Sequence, residues 1–287
     1  MNRSVALLLL VTMVWGSSFP LLKSAVADLN GIEISAFRFL IAAVCVLPFL
    51  ARAPRGTWAA GAVLGVLALI SYVSQAYGLQ HISSNRSAFI TSLNVLMVPF
   101  FGLIFGGRLS WLILLASCIA VAGIGLMSWE SGGNLPGDSA TLLCAFAYAA
   151  YVVALSRCVN THEARYLAAT QIAVMAAAAV VWMLFQSPGG GEFAALARRA
   201  QPHYLNLIYL GVVTTAGTLF LQAIAQRNVS ADKAALVYAM EPVFAALFGW
   251  LLLNEMLGWR GLAGGALVIA ALIISEMRQV SSGVATK

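Results

Sequence analysis

Ser71 and Gln75 stand four residues apart, and Thr218 and Gln222 repeat that spacing in the second half of the chain. Four residues is about one helical turn, so each pair shares a face. An amide both donates and accepts hydrogen bonds. Two amides facing each other across an axis would hold the carboxylate and ammonium of a zwitterion; otherwise each Gln ties its own helix to a neighbour. Ser87, Thr91 and Asn94 share a second face, and Ala234, Tyr238 and Glu241 take the matched positions later. Glu241 precedes Pro242, whose missing N–H frees a carbonyl one turn back. The Glu241 carboxyl then either handles charge, as a proton carrier or the partner of a ligand ammonium, or braces the kink, protonated or paired with Arg38. Arg38 itself would snorkel, pair with an acid or hold a ligand carboxylate. Trp15, Tyr148, Tyr151 and Tyr238 would form an aromatic wall, the usual company of a few polar anchors in a small-molecule pocket.

These residues must be positioned by membrane-spanning helices. The chain has 287 residues, 61% hydrophobic and 9% charged, with a mean hydropathy of +0.91. A soluble domain carries about 25% charged residues. Ten segments, at 4–26, 32–52, 57–80, 84–106, 109–129, 137–157, 163–186, 204–226, 232–253 and 257–276, are long and apolar enough to cross a bilayer, which takes about 20 residues each. The stretch 187–203 reads as a Gly-rich connection. Glu241 then lies about 13–15 Å in from the start of its span at Asp232, near the bilayer midplane. An intramembrane ionisable residue is a functional candidate by default. Pro20, Pro99 and Pro242 interrupt their spans and are expected hinges.

Lys and Arg set the orientation. An even number of spans puts both termini on one side. That side carries Arg3, Arg52, Arg55, Arg108, Arg157, Arg165, Arg227, Lys233, Arg278 and Lys287; the other carries Arg86, Arg198, Arg199 and Arg260. The bias puts both termini in the cytoplasm. The net charge of +6 is therefore orientation charge, and no nucleic-acid partner is expected. Lys23 lies near the outer surface and is expected to snorkel. Cys45, Cys118, Cys144 and Cys158 form no metal-ligand pattern and read as small apolar residues, so neither a metal nor a cofactor is expected. No HExxH, paired-Asp or Ser/His/Asp grouping suggests an enzyme. The small-residue runs Gly61-x-x-x-Gly65, Gly102-x-x-x-Gly106 and Ala116-x-x-x-Ala120, with the cluster at Gly261, Gly264 and Gly265, suit close helix packing, within one chain or across a dimer.

The chain also matches itself. Residues 71–128 slide onto 218–275 without a gap, pairing Gln75 with Gln222, Ala76 with Ala223, Ser83 with Ser230, Phe101 with Phe248 and Gly102 with Gly249. Asn94 falls on Glu241 and Arg86 on Lys233. Each copy holds five spans, so the second enters the membrane inverted. The fold class is thus all-α integral membrane, ten transmembrane helices as a 5+5 inverted repeat, with halves at 1–132 and 133–287. Such repeats mark secondary transporters, whose site lies near the midplane between the halves.

Trp15-Gly16-Ser17-Ser18-Phe19-Pro20, then Arg38-Phe39, then Met240-Glu241-Pro242-Val243 and Asn254-Glu255 resemble the EamA domains of the drug/metabolite transporter superfamily. The resemblance covers essentially the whole chain as two copies. The first copy departs from it, with Arg108 where many members carry Glu, and with Val95 rather than Pro after Asn94. The resemblance implies a ten-helix exporter of metabolites or amino acids. The chain is most similar to the YddG-type exporters of aromatic and other neutral amino acids. The expected substrate-binding residues are Trp15, Ser18, Ser71, Gln75, Thr91, Asn94, Tyr148, Tyr151, Thr218, Gln222 and Tyr238, with Glu241 and Arg38 handling charge. Expected partners are amino acids, the bilayer of a bacterial inner membrane and protons, in a monomer or homodimer working by alternating access. The alternatives are a drug or other metabolite as cargo, or a scaffold that transports nothing.

Overall fold

The computed structural model of the chain describes residues 3–104, 106, 110–128, 134–186, 190–253 and 258–283, and the regular structure among them is helical. The first half runs through α1 (Arg3–Ala25), α2 (Gly31–Leu50), α3 (Arg55–His81), α4 (Ser84–Ser92), α5 (Asn94–Ile104) and α6 (Trp111–Ser128). The second runs through α7 (Leu135–Thr161), α8 (Ala164–Gln186), α9 (Gly190–Ala200), α10 (Tyr204–Gly211), α11 (Thr218–Gln226), α12 (Ala231–Tyr238), α13 (Glu241–Leu253) and α14 (Trp259–Gly283). A 3-10 turn (Gln201–His203) precedes α10, and a π turn (Val212–Gly217) joins α10 to α11. Seven of the resulting helical stretches are long and apolar enough to cross a membrane, and Trp111–Leu126 and Trp259–Ile274 are shorter apolar helices. The ninth span expected from sequence is the broken pair α12–α13. Arg108, Trp129, Asn254 and Glu255 lie outside the described residues.

Local sequence explains the helix starts. Asn30 opens α2 with a capping box: its side chain accepts from the Ile32 and Glu33 N–H groups, and Glu33 accepts from the Asn30 N–H at 2.8 Å. Asn134 caps α7 through the Gly137 N–H at 3.0 Å, with Pro136 in the first turn. At the other end of a helix, Lys23 does not snorkel. Its ammonium donates to the carbonyls of Leu79 (2.7 Å) and Ile82 (3.2 Å) at the end of α3, where orphan acceptors favour a cation.

Three departures from the expected spans bear on function. The fourth and ninth spans are each broken, at Leu93 and at Ala239–Met240. Pro242 removes an N–H and crowds the Tyr238 carbonyl, so α12 stops at Tyr238. At the first break the Asn94 amide donates to the Thr91 carbonyl at 2.6 Å, competing with the backbone for that acceptor. Pro20 lies within continuous α1, and Pro99 within α5, so Pro242 alone of the three prolines borders a break. The eighth span contains the π turn. Finally, the 187–203 connection is not a plain loop: Ala194–Ala200 is rich in Ala, Leu and Arg, strong helix formers, and closes α9.

Packing is symmetric under exchange of the halves. α3 packs on α7 and α8, while α1 and α2 pack on the α10–α11 segment; α4 and α5 pack on α7, while α12 and α13 pack on α1. α2 meets α8, and α6 meets α14, each across the axis. Small residues permit these approaches. A Cβ at Gly123 of α6 would come within 2.6 Å of the Gly264 carbonyl on α14, and one at Gly65 within 2.7 Å of the Gln171 carbonyl on α8. The small-residue faces of α3, α6 and α14 are thus used within the chain. On the side away from the termini, Arg86 pairs with Asp138 (2.6 Å), Arg199 with Glu33 (2.6 Å) and His203 with Asp28 (2.7 Å), tying α4 to α7 and the α9 segment to the α1–α2 corner.

Candidate functional site

The cavity between the halves holds about 480 Å³ of non-atom space, part of it open, and is lined from α1, α2, α3, α4, α7 and α13. Of the residues singled out from sequence, Trp15, Ser18, Arg38, Ser71, Gln75, Thr91, Tyr148 and Glu241 line it. Leu22, Tyr72 and Cys144 line it as well. Leu22 lies near the end of α1 and Arg38 in the first half of α2, so the cavity occupies the half of the molecule away from the termini.

One wall is neutral and polar. Gln75 Nε2 approaches Thr91 Oγ1 at 3.4 Å, and Ser71 Oγ lies 3.3 Å from Cys144 Sγ, with Thr91 Oγ1 3.9 Å from the same sulfur. Donors and acceptors from α3, α4 and α7 therefore converge. Ser18 spends its hydroxyl proton on the Trp15 carbonyl at 2.7 Å, leaving oxygen lone pairs as acceptors.

A second wall carries charge. Arg38 is 4% exposed and pairs with no acid among the described residues. Its Nε donates to Thr215 Oγ1 and its Nη2 to Thr214 Oγ1, both at 3.0 Å, and its guanidinium lies 4.5 Å from the centre of the Tyr72 ring. Tyr72 in turn meets Phe39 edge-on at 5.5 Å. Glu241 opens α13, so its carboxyl stands at a helix N-terminus, where negative charge is favoured. The ion pairs among the described residues are Arg86–Asp138, Arg165–Glu163 and Arg199–Glu33, with His203 hydrogen-bonded to Asp28, so Arg38 and Glu241 are not joined to each other. A guanidinium and a carboxyl group thus share one cavity without being joined.

The floor, toward the termini, is aromatic. Trp15 meets Tyr148 at 5.8 Å edge-on and Tyr238 at 5.4 Å; Tyr148 stacks on Tyr151 at 5.8 Å. Tyr151 and Tyr238 back this layer rather than line the cavity, being 1% and 2% exposed. Gln222 is also behind it: its oxygen accepts from Tyr151 at 3.3 Å and its nitrogen donates to Tyr148 at 3.2 Å. Thr218 accepts from Trp15 Nε1 at 3.1 Å. The Ser71/Gln75 and Thr218/Gln222 pairs, equivalent in sequence, are therefore not equivalent in space: the first faces the cavity and the second supports its floor. Below, Gln226 accepts from Tyr238 at 3.4 Å and donates to the Val152 carbonyl at 3.2 Å. Asn94 is buried beside the break before α5 and does not line the cavity.

The π turn joins these walls. The Thr218 N–H bonds to the Val213 carbonyl, five residues back, and bypasses Thr214. The freed Thr214 carbonyl accepts from Trp15 Nε1 at 3.3 Å. Such turns inside helices are frequent at functional sites. Nothing in the sequence analysis marked this turn, whose partners Trp15 and Arg38 come from other helices.

The chain matches the model of the EamA-like transporter family twice, at residues 2–129 and 135–277. It is 27% identical over 281 residues to an uncharacterized transporter of Archaeoglobus fulgidus, covering 94% of this chain and 85% of that one. A second uncharacterized transporter of that organism is 23% identical over 298 residues, at 97% and 99% coverage. The uncharacterized transporter YcxC of Bacillus subtilis is 25% identical over 290 residues, at 94% and 91% coverage. A crystal structure with 19% identity to this chain superposes with a TM-score of 0.73, covering 98% of this chain and 99% of that one, and shares its fold. With an all-helical membrane fold and both halves matching one family, the chain belongs to the EamA-like transporter family of multi-pass membrane transporters.

Proposed function

We propose that this transporter exports amino acids with aromatic and other neutral side chains. The observation that carries the proposal is one cavity bearing Arg38 and Glu241 on its walls, unpaired with each other, beside the aromatic rings of Trp15, Tyr72 and Tyr148. Arg38 takes the substrate carboxylate and Glu241 its ammonium. The rings take an apolar side chain, and Ser71, Gln75 and Thr91 supply neutral hydrogen bonds around the backbone atoms. A side chain with its own charge would lack a partner among these aromatic walls, at a desolvation cost.

Transport proceeds by alternating access between the halves 1–132 and 133–287. The excess of Lys and Arg on the side of the termini supports their placement in the cytoplasm of a bacterial cell, with the chain in its inner membrane. The cavity then faces outward, the state from which an exporter releases cargo. The aromatic floor of Trp15, Tyr148, Tyr151 and Tyr238 is the closed inner gate. The breaks before Asn94 and Glu241 are the flexing points, one in each half. Glu241, freed of substrate ammonium, is the site where a proton rides back.

Efflux from proteoliposomes tests this. Vesicles are loaded with labelled aromatic, aliphatic, small polar and charged amino acids, each run with and without a pH gradient. Saturable efflux of the aromatic and aliphatic set, accelerated by the gradient, is expected. Absence of flux for every amino acid, with folded protein confirmed, would overturn the proposal and point to a drug or other metabolite as cargo.

A further inference from the structure

Arg38 is held by residues that do not themselves line the cavity. Thr214 and Thr215 sit in the π turn at 0% exposure. Each hydroxyl has one proton, and the Leu210 carbonyl takes both: Thr214 Oγ1 donates to it at 2.9 Å and Thr215 Oγ1 at 2.7 Å. Their lone pairs are thereby left as acceptors, and the guanidinium fills them with Nε and Nη2. An ordinary α turn would place these adjacent side chains about 100° apart; the wider π turn brings both oxygens onto one Leu210 carbonyl and one guanidinium. Tyr72 covers a face of that guanidinium. Gly211 lets α10 approach α2 closely enough for these bonds, since a Cβ there would lie 2.8 Å from the Arg38 carbonyl and 2.7 Å from Ile41. The remaining terminal amine, Nη1, makes no hydrogen bond among the described residues, while Arg38 lines the cavity.

We infer that Thr214 and Thr215 are positioning residues that make the cavity selective for carboxylates, by fixing the Arg38 guanidinium so that Nη1 is left to the substrate. A guanidinium free to rotate would attract anions but would not discriminate a carboxylate from its amide with the same geometry. Held on two sides, it presents a donor that an amide ligand, with its own N–H groups, meets less well. The inference rests on the amino-acid reading of the cavity and adds to it the residues that set head-group selectivity.

The test compares phenylalanine with phenylalaninamide, which keeps the side chain and ammonium and loses the carboxylate. In proteoliposomes the wild type is expected to prefer phenylalanine by about tenfold or more in kcat/KM. The T214V/T215V double variant, which keeps side-chain bulk and removes both hydroxyls, is expected to reduce that preference to about threefold or less, by raising KM for phenylalanine about tenfold with kcat little changed. The T214S/T215S variant, which keeps both hydroxyls, is expected to retain the preference. A second arm does not depend on transport of amino acids: phenylglyoxal modification of Arg38, read by mass spectrometry, with benzoate as the protecting carboxylate. Benzoate is expected to protect Arg38 in the wild type and the serine variant and to fail in the valine variant. Unchanged selectivity or protection in the valine variant, equal loss of both substrates, or no protection in the wild type would overturn the inference. Benzoate protection that responds to the threonines, with no flux of phenylalanine, would instead overturn the amino-acid reading alone.

Discussion

Gln75 and Gln222 are matched in sequence and parted in role. Gln75 faces the cavity beside Thr91, whereas Gln222, at 0% exposure, joins Tyr148 to Tyr151 behind its floor. Gln75→Leu is therefore expected to raise the KM for phenylalanine while leaving the thermal unfolding midpoint in detergent unchanged. Gln222→Leu strips two buried tyrosine hydroxyls of a partner, and is expected to lower stability by about 1–3 kcal/mol, read as a falling midpoint. For Glu241→Gln, loss of a charge-assisted bond to the ammonium is expected to raise KM about tenfold or more with the protein still folded. An unchanged KM would remove Glu241 from substrate binding. The polar residues of the site were legible because a polar group inside an apolar helix needs a reason. Leu22 and Cys144 gave no such signal: an apolar side chain or a thiol on a cavity wall looks like one facing lipid. Nor did sequence distinguish lining from support, since spacing gives the face of a helix but not what the face meets. Arg38 was legible as a buried charge, yet its threonine partners lie on another helix far along the chain.

At the scale of the helices, composition and periodicity located the ten crossings, and Pro242 announced the break between α12 and α13. The break at Leu93 has no proline of its own; Asn94 competes for the Thr91 carbonyl instead. The π turn also has none, and α9 emerged where glycines suggested a loop although the Ala- and Arg-rich segment after them favours a helix. The small-residue faces on α6 and α14 were legible as packing surfaces, but their partner was not: the two helices meet each other. Gly123→Val is expected to force them apart at the Gly264 carbonyl, lowering stability by about 1–3 kcal/mol, with a depressed unfolding midpoint in detergent as the readout. A midpoint equal to that of the wild type would contradict this packing.

For the whole molecule, symmetry of packing and asymmetry of access belong together. The two halves exchange their contacts about the axis, yet the cavity lies in the half away from the termini, above a floor of stacked aromatic rings. In a background with the four native cysteines replaced by alanine, Gln75→Cys is expected to react with a membrane-impermeant maleimide added on the side away from the termini, whereas Tyr151→Cys stays unlabelled. Substrate cycling that closes the outer mouth is expected to slow the labelling at position 75. The internal repeat made the paired halves legible from sequence; the side on which the cavity lies was not, because the spacing of its lining residues does not say toward which end of the helices it opens.

The central claim is that opposite charges in one cavity select a zwitterion. Its most direct test is efflux from proteoliposomes of three molecules with one ring and different head groups: phenylalanine, 3-phenylpropionate without the ammonium, and phenethylamine without the carboxylate. Recognition by both Arg38 and Glu241 predicts that phenylalanine is transported with a kcat/KM about tenfold or more above either single-charge analogue. Transport of either analogue as well as phenylalanine would contradict the claim, since one of the two charges would then have no part in choosing the cargo.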